Sequence, residues 1–180
     1  MEKFLNRKVL YQGKILRLEL DQVECENGKL AYREIVRHHG GAAILCVTEE
    51  EKVLLIRQYR YAYNEVLYEI PAGKLEENED PMAAAFREFE EETGNQAINL
   101  SYLTTIYPTV GYTDEKIYIY LVTQFIKTKP HLDEDEVIDP IWIDLEEVVH
   151  MIEQGIIRDA KTICAIHSYL IQQHKIIKKG

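Results

Sequence analysis

Four glutamates crowd into five consecutive positions of the sequence, directly after an arginine. They are Glu88, Glu90, Glu91 and Glu92. Like charges at this spacing repel one another, so the segment is destabilised unless a cation neutralises them. Carboxylate oxygens suit Mg²⁺ and Mn²⁺, and Mg²⁺ in proteins is usually held by a few carboxylates together with substrate phosphates. The spacing therefore indicates a divalent metal site for a phosphorylated substrate, with a solvated acidic face as the alternative.

A short helix is predicted to carry these glutamates. Asp80 before Pro81 is typical of a helix start, since a carboxylate caps free N–H groups and proline fits the first helical position. Gly94 is a natural stop, so the sequence predicts a helix over residues 81–93. At about 100° per residue, one stripe forms its predicted buried face: Met82, Phe86, Phe89 and Thr93. Three glutamates form a separate polar face: Glu88, Glu91 and Glu92.

The segment 73–95 resembles the Nudix box. Its matching positions, with the spacing of that motif, are Gly73, Glu79, Arg87, Glu88, Glu91, Glu92 and Gly94. At ordinary residue frequencies such a set arises by chance about once in 10⁸ to 10⁹ start points. Two positions depart from the motif, since Phe89 and Asn95 stand where aliphatic residues are usual. On these residues the chain is identified as similar to the Nudix hydrolases.

This resemblance implies a chemistry and a fold. Nudix proteins hydrolyse nucleoside diphosphates linked to another moiety, use Mg²⁺ or Mn²⁺, and fold as an α/β/α sandwich. By position, Glu88 and Glu92 correspond to the main metal ligands, and Glu91 to a further ligand or a catalytic neighbour. Arg87 corresponds to a catalytic-site residue that orients a carboxylate. Glu79 is expected in the loop before the helix, with a supporting role.

The loop before the box offers one more candidate ligand. Pro71, Ala72 and Gly73 end a predicted strand, and the glycine permits a backbone turn that would aim the Ala72 carbonyl at a metal. No serine or cysteine arrangement points to a covalent nucleophile, so water is the expected attacking group.

A wider resemblance narrows the class. The stretches REIVRHHGGAAIL, VLLIRQYR, LYEIPAGKLE, GYTDE and LDEDE are similar, in this order, to bacterial ADP-ribose pyrophosphatases over roughly residues 10–150. In that subfamily the general base comes from a mobile acidic loop after the box. The resemblance implies Glu134 as the base and Glu136 as an extra metal ligand, and leaves open which of the two is the base. A solvated charged loop is the alternative.

Three arginines are candidates for binding the substrate. Arg57 and Arg60 alternate with apolar residues at a predicted strand end and are expected to clamp an anion near the phosphates. Arg33, on an N-terminal hairpin, is expected to approach the nucleotide. Ordinary surface arginines are the alternative. Subfamily members resemble intertwined homodimers, so the hairpin is expected either to lie on its own chain or to be exchanged with a second copy.

Composition excludes several classes of protein. The 180-residue chain carries a formal charge of −10, which argues against a nucleic-acid partner, because such proteins present a basic patch. Three widely spaced cysteines indicate free thiols in a reducing compartment. There is no signal-peptide pattern and no run of about 18 to 20 apolar residues. We therefore expect a soluble cytoplasmic protein without a membrane partner.

The order of elements predicts the fold class. Alternating or apolar runs predict strands over residues 14–25, 30–37, 42–47, 53–59, 66–70, 97–107, 116–122 and 138–143. Two further helices are predicted after capping aspartates, from Asp144 to about residue 154 and from Asp159 to about residue 175. This order favours an α/β (α+β) fold, a mixed sheet covered by helices on both faces. We expect a small N-terminal β subdomain, residues 1–40, which forms dimers, and a Nudix domain, residues 41–180.

The resemblance implies a specific reaction. The leading hypothesis is Mg²⁺-dependent (or Mn²⁺-dependent) hydrolysis of ADP-ribose to AMP and ribose 5-phosphate. One alternative is another nucleoside diphosphate sugar such as GDP-mannose, because Thr109, Val110 and Gly111 replace the usual Ser-Pro-Gly turn. Another is a Nudix domain that senses a nucleotide without cleaving it.

Overall fold

The structure is a computed structural model that describes residues 1–132 and 137–177, with side chains described up to residue 174. It forms two compact units, Met1–Gly40 with Tyr107–Lys116, and Gly41–Ile106 with Ile117–Gly180. The strands are β1 (Lys3–Gln12), β2 (Leu16–Glu24), β3 (Leu30–His38), β4 (Gly41–Val47), β5 (Lys52–Arg60), β6 (Glu65–Glu69), β7 (Ala72–Lys74), β8 (Asn95–Ala97), β9 (Ser101–Ile106), β10 (Ile117–Val122), β11 (Phe125–Lys127) and β12 (Ile138–Asp144). The helices are α1 (Pro81–Thr93), α2 (Leu145–Glu153) and α3 (Ala160–Ile177).

The first unit is built on an antiparallel sheet in the order β1-β2-β3. Gly28 lies in the turn between β2 and β3, where it has φ +75° and its N–H donates to the Cys25 carbonyl at 2.8 Å. The strand β1 was not predicted. Every residue of β1 is exposed in the single chain, so the usual alternation of buried and exposed residues is missing. The hairpin therefore packs as part of three strands, not as an isolated pair.

The second unit is built on a mixed sheet. Its main path runs β12-β5-β4-β10-β9, with β6 on β5 and β7 on β4. The strands β4 and β10 are parallel, with Ile117 opposite Gly41, whereas the other neighbours are antiparallel. Every residue of β4 is buried, which explains its wholly apolar sequence.

The two faces of this sheet carry separate cores. Ala42, Ile44 and Cys46 of β4 belong to a cluster with Ala84, Ala85 and Phe89 of α1. The alternate β4 residues Ala43, Leu45 and Val47 belong to a cluster with residues of α2 and α3. Because strand side chains alternate between faces, α1 covers one face while α2 and α3 cover the other. The predicted α/β/α sandwich is confirmed.

The ends of α1 lie where the sequence predicts them. The Asp80 carboxylate accepts hydrogen bonds from the N–H groups of Met82 and Ala83, both at 3.0 Å. Gly94 adopts a left-handed conformation, φ +63°, and its N–H donates to the Glu90 carbonyl at 2.9 Å. The predicted buried stripe is wrong at Met82, which is 39% exposed. Phe89 is buried as predicted, and the other buried residues of α1 are Ala84, Ala85 and Glu92.

Other differences concern short elements and one cap. The predicted strand 97–107 contains one whole strand, β9, and only the last residue of β8. The three-residue strands β7, β8 and β11 are too short to show a pattern. Asp144 begins α2 but makes no capping hydrogen bond; its carboxylate instead accepts from Lys52 Nζ at 2.7 Å. Asp159 does cap α3, accepting from the Thr162 N–H at 3.0 Å. Within the residues that the structure describes, no helix is long and apolar enough to cross a membrane.

Candidate active site

Arg87 lies at the centre of a cluster of carboxylates on α1 and in the loop before it. Its Nε and Nη2 donate to the two carboxylate oxygens of Glu79 at 3.0 and 3.1 Å. Its Nη1 donates to Glu88 Oε1 at 2.7 Å and to Glu91 Oε2 at 2.9 Å. One guanidinium therefore holds three carboxylates together, and the cluster keeps an excess of negative charge.

The charges of this cluster perturb two pKa values. The hydrogen bond between Arg87 and Glu79 is the main cause that raises the pKa of Arg87 above its ordinary range, and Glu88 and Glu91 raise it further. The same hydrogen bond lowers the pKa of Glu79. Glu79 lies in the loop between β7 and α1, as predicted. It stays ionised at neutral pH, so it anchors Arg87 as a fixed anion.

Gly73 leaves the space that the Glu88 carboxylate occupies. A Cβ at position 73 would lie 1.8 Å from Glu88 Cδ and 1.9 and 2.2 Å from its two oxygens. Gly73 belongs to β7, in which Ala42 of β4 is its partner. The glycine of the box is therefore required for close approach of the carboxylate to the backbone, rather than for an unusual backbone angle.

The position of Glu92 corrects the predicted polar face. Glu92 is only 4% exposed, and its Oε2 accepts a hydrogen bond from the Ala72 N–H at 2.9 Å. The side chains of Glu88 and Glu91 are 13% and 39% exposed. The prediction from helical spacing was wrong for Glu92, because α1 packs against β7 on that side. The contact brings the backbone of Ala72, a predicted ligand, beside Glu92.

The segment after β11 is hydrogen-bonded to the C-terminal end of α1. The Thr128 N–H donates to the Gly94 carbonyl at 2.8 Å, and the His131 N–H donates to the Glu91 carbonyl at 2.9 Å. A Cβ on Gly94 would lie 2.8 Å from Pro130 Cδ, so glycine is needed here for space as well as for its positive φ. Glu134 and Glu136, the predicted base and extra ligand, lie outside the described residues.

Comparison with known proteins identifies the family. The NUDIX domain family matches residues 37–166, which is most of the chain and includes the whole carboxylate cluster. The chain belongs to the Nudix hydrolase family. The resemblance that the box residues indicate is thereby confirmed.

Two relatives of this Nudix chain match nearly all of it. ADP-ribose pyrophosphatase from Bacillus subtilis (strain 168) is 39% identical over 167 residues, 92% of this chain and 90% of the relative. Methanol dehydrogenase activator from Bacillus methanolicus is 37% identical over 174 residues, 96% of this chain and 94% of the relative. A solved structure, an ADP compounds hydrolase, superposes with a TM-score of 0.84 and covers 99% of this chain and 96% of its own; at 20% identity it supports the fold.

The carboxylates of the Nudix box have the donor chemistry of a divalent metal site. Among the described residues, no group of three or more His, Cys, Asp or Glu side chains is arranged to hold a metal ion. Glu88 and Glu91 nevertheless contact the same nitrogen of Arg87, and so lie close together. All the donors are oxygens, and the absence of a side chain at Gly73 makes room for one of them. This set fits a hard divalent cation.

The three predicted substrate arginines have different surroundings. Arg60 donates to both oxygens of Glu69 at 2.6 and 2.7 Å. Arg57 donates to Asp139 at 3.2 Å and lies 6.0 Å from the ring centroid of Tyr68. Both belong to the second unit, whereas Arg33 belongs to the first, where it is paired with Glu2. Their roles in substrate binding stay predictions.

One pair of charged residues near the site was not predicted from the sequence. Glu69 and Lys161 are 2% and 8% exposed and form an ion pair, although 92 residues separate them. A single charged residue within the apolar segment LYEI was the available signal, because buried charges require partners. The partner was not visible, since nothing in the spacing connects β6 with the start of α3.

Proposed function

We propose that this Nudix hydrolase cleaves the pyrophosphate bond of a nucleoside diphosphate sugar in the presence of Mg²⁺ (or Mn²⁺), with ADP-ribose as the preferred substrate. Water adds across the bond, and the products are AMP and ribose 5-phosphate. One observation carries the proposal. The cluster of Glu79, Glu88 and Glu91 around Arg87 lies in a chain that is 39% identical, over 92% of its length, to a protein named ADP-ribose pyrophosphatase.

The proposed metal ligands are the carboxylates of the box and one backbone oxygen: Ala72, Glu88, Glu91, Glu92 and Glu136. When bound, a divalent cation neutralises phosphate oxygens and lowers the pKa of a coordinated water. The protein's part is to hold these donors in place. The Ala72 N–H holds Glu92 by a hydrogen bond. The absence of a side chain at Gly73 leaves room for the Glu88 carboxylate. Arg87 restrains Glu91, which we also place among the catalytic residues.

The remaining roles concern the proton and the substrate. Glu134 takes the proton of the attacking water. The His131 N–H, bound to the Glu91 carbonyl, supports this role, because it brings the chain to α1 just before the acidic stretch. Arg57 and Arg60 are proposed to bind phosphate oxygens, and Arg33 the nucleotide.

A substrate panel tests the reaction. The purified protein with Mg²⁺ is given ADP-ribose, GDP-mannose and other nucleoside diphosphate sugars, and the nucleoside monophosphates are separated by chromatography. We expect AMP from ADP-ribose at the highest kcat/KM. Faster release of GMP from GDP-mannose would contradict the proposal that ADP-ribose is the preferred substrate. Calorimetric binding of ADP-ribose without any turnover would contradict catalysis and favour a nucleotide sensor.

Glu134→Gln is expected to lower kcat about 10²-fold, the low end of the contribution of a general base, with KM almost unchanged. The variant removes the proton acceptor but keeps the size of the side chain. Steady-state kinetics measure both constants. The matched variant Glu136→Gln, a proposed ligand, is expected to raise the Mg²⁺ concentration needed for half-maximal rate. If Glu134→Gln changes only KM, Glu134 is not the base.

A homodimer is proposed for the protein in solution. Its support is the exposed apolar surface of β1, which a second copy would cover; the residues are Phe4, Leu5, Val9, Leu10 and Tyr11. Light scattering is expected to give twice the chain mass of 21.0 kDa. A mass of one chain at micromolar concentration would contradict the dimer.

A further inference from the structure

Three polar residues at the start of α3 are buried or nearly buried, and nothing in the proposed reaction uses them. Lys161 is 8% exposed and Thr162 is fully buried. Asp159 precedes them and caps the helix. We refer to Asp159, Lys161 and Thr162 as the α3 clamp. Buried polar groups destabilise a protein unless they are paired, so their partners reveal what they hold.

The α3 clamp holds the strand end that precedes the box. Thr162 Oγ1 donates to Asp159 Oδ2 at 2.6 Å and accepts a hydrogen bond from the Ile70 N–H at 2.8 Å. Lys161 forms ion pairs with Glu69 and, at 3.1 Å, with Asp159. Two consecutive residues, Glu69 by its side chain and Ile70 by its backbone, are therefore fixed to the same turn of α3.

The same carboxylate connects the clamp to Arg60. Glu69 accepts both hydrogen bonds of the Arg60 guanidinium, at 2.6 and 2.7 Å. Burial alone would raise the pKa of Glu69, but the bonds and charges of Arg60 and Lys161 outweigh it and lower that pKa. For Arg60, the bond to Glu69 is the main cause of a raised pKa, and the charges of Glu92 and Asp159 add to it. Lys161, Glu69 and Arg60 therefore form one continuous chain of ion pairs.

The clamped segment ends beside two of the proposed metal ligands, Glu92 and Glu88. Ala72, two residues after Ile70, donates its N–H to Glu92 at 2.9 Å. Gly73, the next residue, has its Cα beside the Glu88 carboxylate. A shift of residues 69–73 along the strand would displace both contacts together, because the backbone between Ile70 and Gly73 is short and partly paired with β4.

We propose that the α3 clamp is a positioning element for the active site. It fixes residues 69–73, and through them the Glu92 and Glu88 carboxylates and the Arg60 guanidinium. The effect on turnover rests on the proposed function, whereas the effect on the backbone does not. None of the three clamp residues touches the reacting atoms in this assignment.

Thr162→Val tests the clamp, with Thr162→Ser as its matched control. Valine keeps the shape of threonine but removes the hydroxyl that binds both Ile70 and Asp159, whereas serine keeps that hydroxyl. Hydrogen exchange by mass spectrometry is measured on peptides covering residues 69–73 and, as an internal control, on peptides covering β10. Kinetics with Mg²⁺ and ADP-ribose give kcat and KM.

For Thr162→Val we expect faster exchange in residues 69–73, unchanged exchange in β10, and a kcat about tenfold lower at nearly unchanged KM. Thr162→Ser should resemble the wild type in the exchange of residues 69–73, in the exchange of β10 and in kcat. Unchanged exchange at 69–73, or unchanged kcat in folded Thr162→Val, overturns the proposal. If Thr162→Val does not fold, Lys161→Met is measured against the same criteria.

The outcome for the reaction is separate. If the wild type hydrolyses no nucleoside diphosphate sugar, the proposed function is wrong. Exchange then decides on the clamp alone: faster exchange confined to residues 69–73 supports it, and wild-type exchange overturns it.

Discussion

Glu92→Gln is expected to lower kcat on the order of 10³-fold, because a lost metal ligand removes several kcal/mol of transition-state stabilisation. The protein should stay folded. Glutamine has nearly the same shape, and its amide oxygen can accept the Ala72 N–H that Glu92 accepts at 2.9 Å. Removing one charge also relieves repulsion among the neighbouring glutamates. Steady-state kinetics with ADP-ribose measure the loss, and thermal unfolding followed by circular dichroism measures stability.

Glu90→Gln is the matched control, since it removes the same charge from the same helix. The Glu90 carboxylate lies 3.4 Å from Gln96 Nε2 and is outside the Arg87 cluster. The kcat of Glu90→Gln should stay close to the wild-type value. A Glu92→Gln protein within tenfold of wild-type turnover would contradict the metal role of Glu92. A large loss in Glu90→Gln would show that charge alone, not position, controls the rate.

Gly73→Ala is expected to lower kcat/KM on the order of 10²-fold, because displacing a catalytic group by about 1 Å has effects of this size. The new Cβ would lie 1.8 Å from Glu88 Cδ, so the carboxylate has to move. The backbone itself accepts alanine, since Gly73 is not among the residues with positive φ. Kinetics give the loss, and circular dichroism verifies that the sheet remains.

A double-mutant cycle isolates the cause. In a Glu88→Ala background no carboxylate opposes the Cβ at position 73. Gly73→Ala should then lower the midpoint of thermal unfolding less than it does in the wild type. Equal decreases in the two backgrounds would show that Glu88 is not the group displaced, and the close-approach role of Gly73 would be wrong.

The helix that carries the site could be predicted from the sequence because its ends are decided locally. The Asp80 side chain accepts hydrogen bonds from the first free N–H groups, and Pro81 fits the first helical position. Gly94 ends the helix in a left-handed conformation. The set of glutamates was also visible, since it lies within one segment. What spacing along a helix cannot show is the neighbouring strand. β7 lies against α1 and buries Glu92, which helical periodicity assigns to the polar face.

The residues that escaped prediction are those whose partners are distant in sequence. Glu69 and Lys161 stabilise one another across 92 residues, and only the sheet and α3 bring them together. β1 escaped for a different reason, because all of its residues are exposed in the single chain. Its sequence, KFLNRKVLYQ, carries apolar residues in adjacent pairs, so the periodicity that reveals half-buried strands is absent.

The parallel pairing of β4 with β10 also constrains biosynthesis. Translation adds about 5 to 20 residues per second, so β4 leaves the ribosome several seconds before its neighbour does. Until residue 122 has emerged, the apolar segment Gly41–Val47 lacks the partner that covers one of its edges. During that interval its unpaired apolar edge is open to association with other chains.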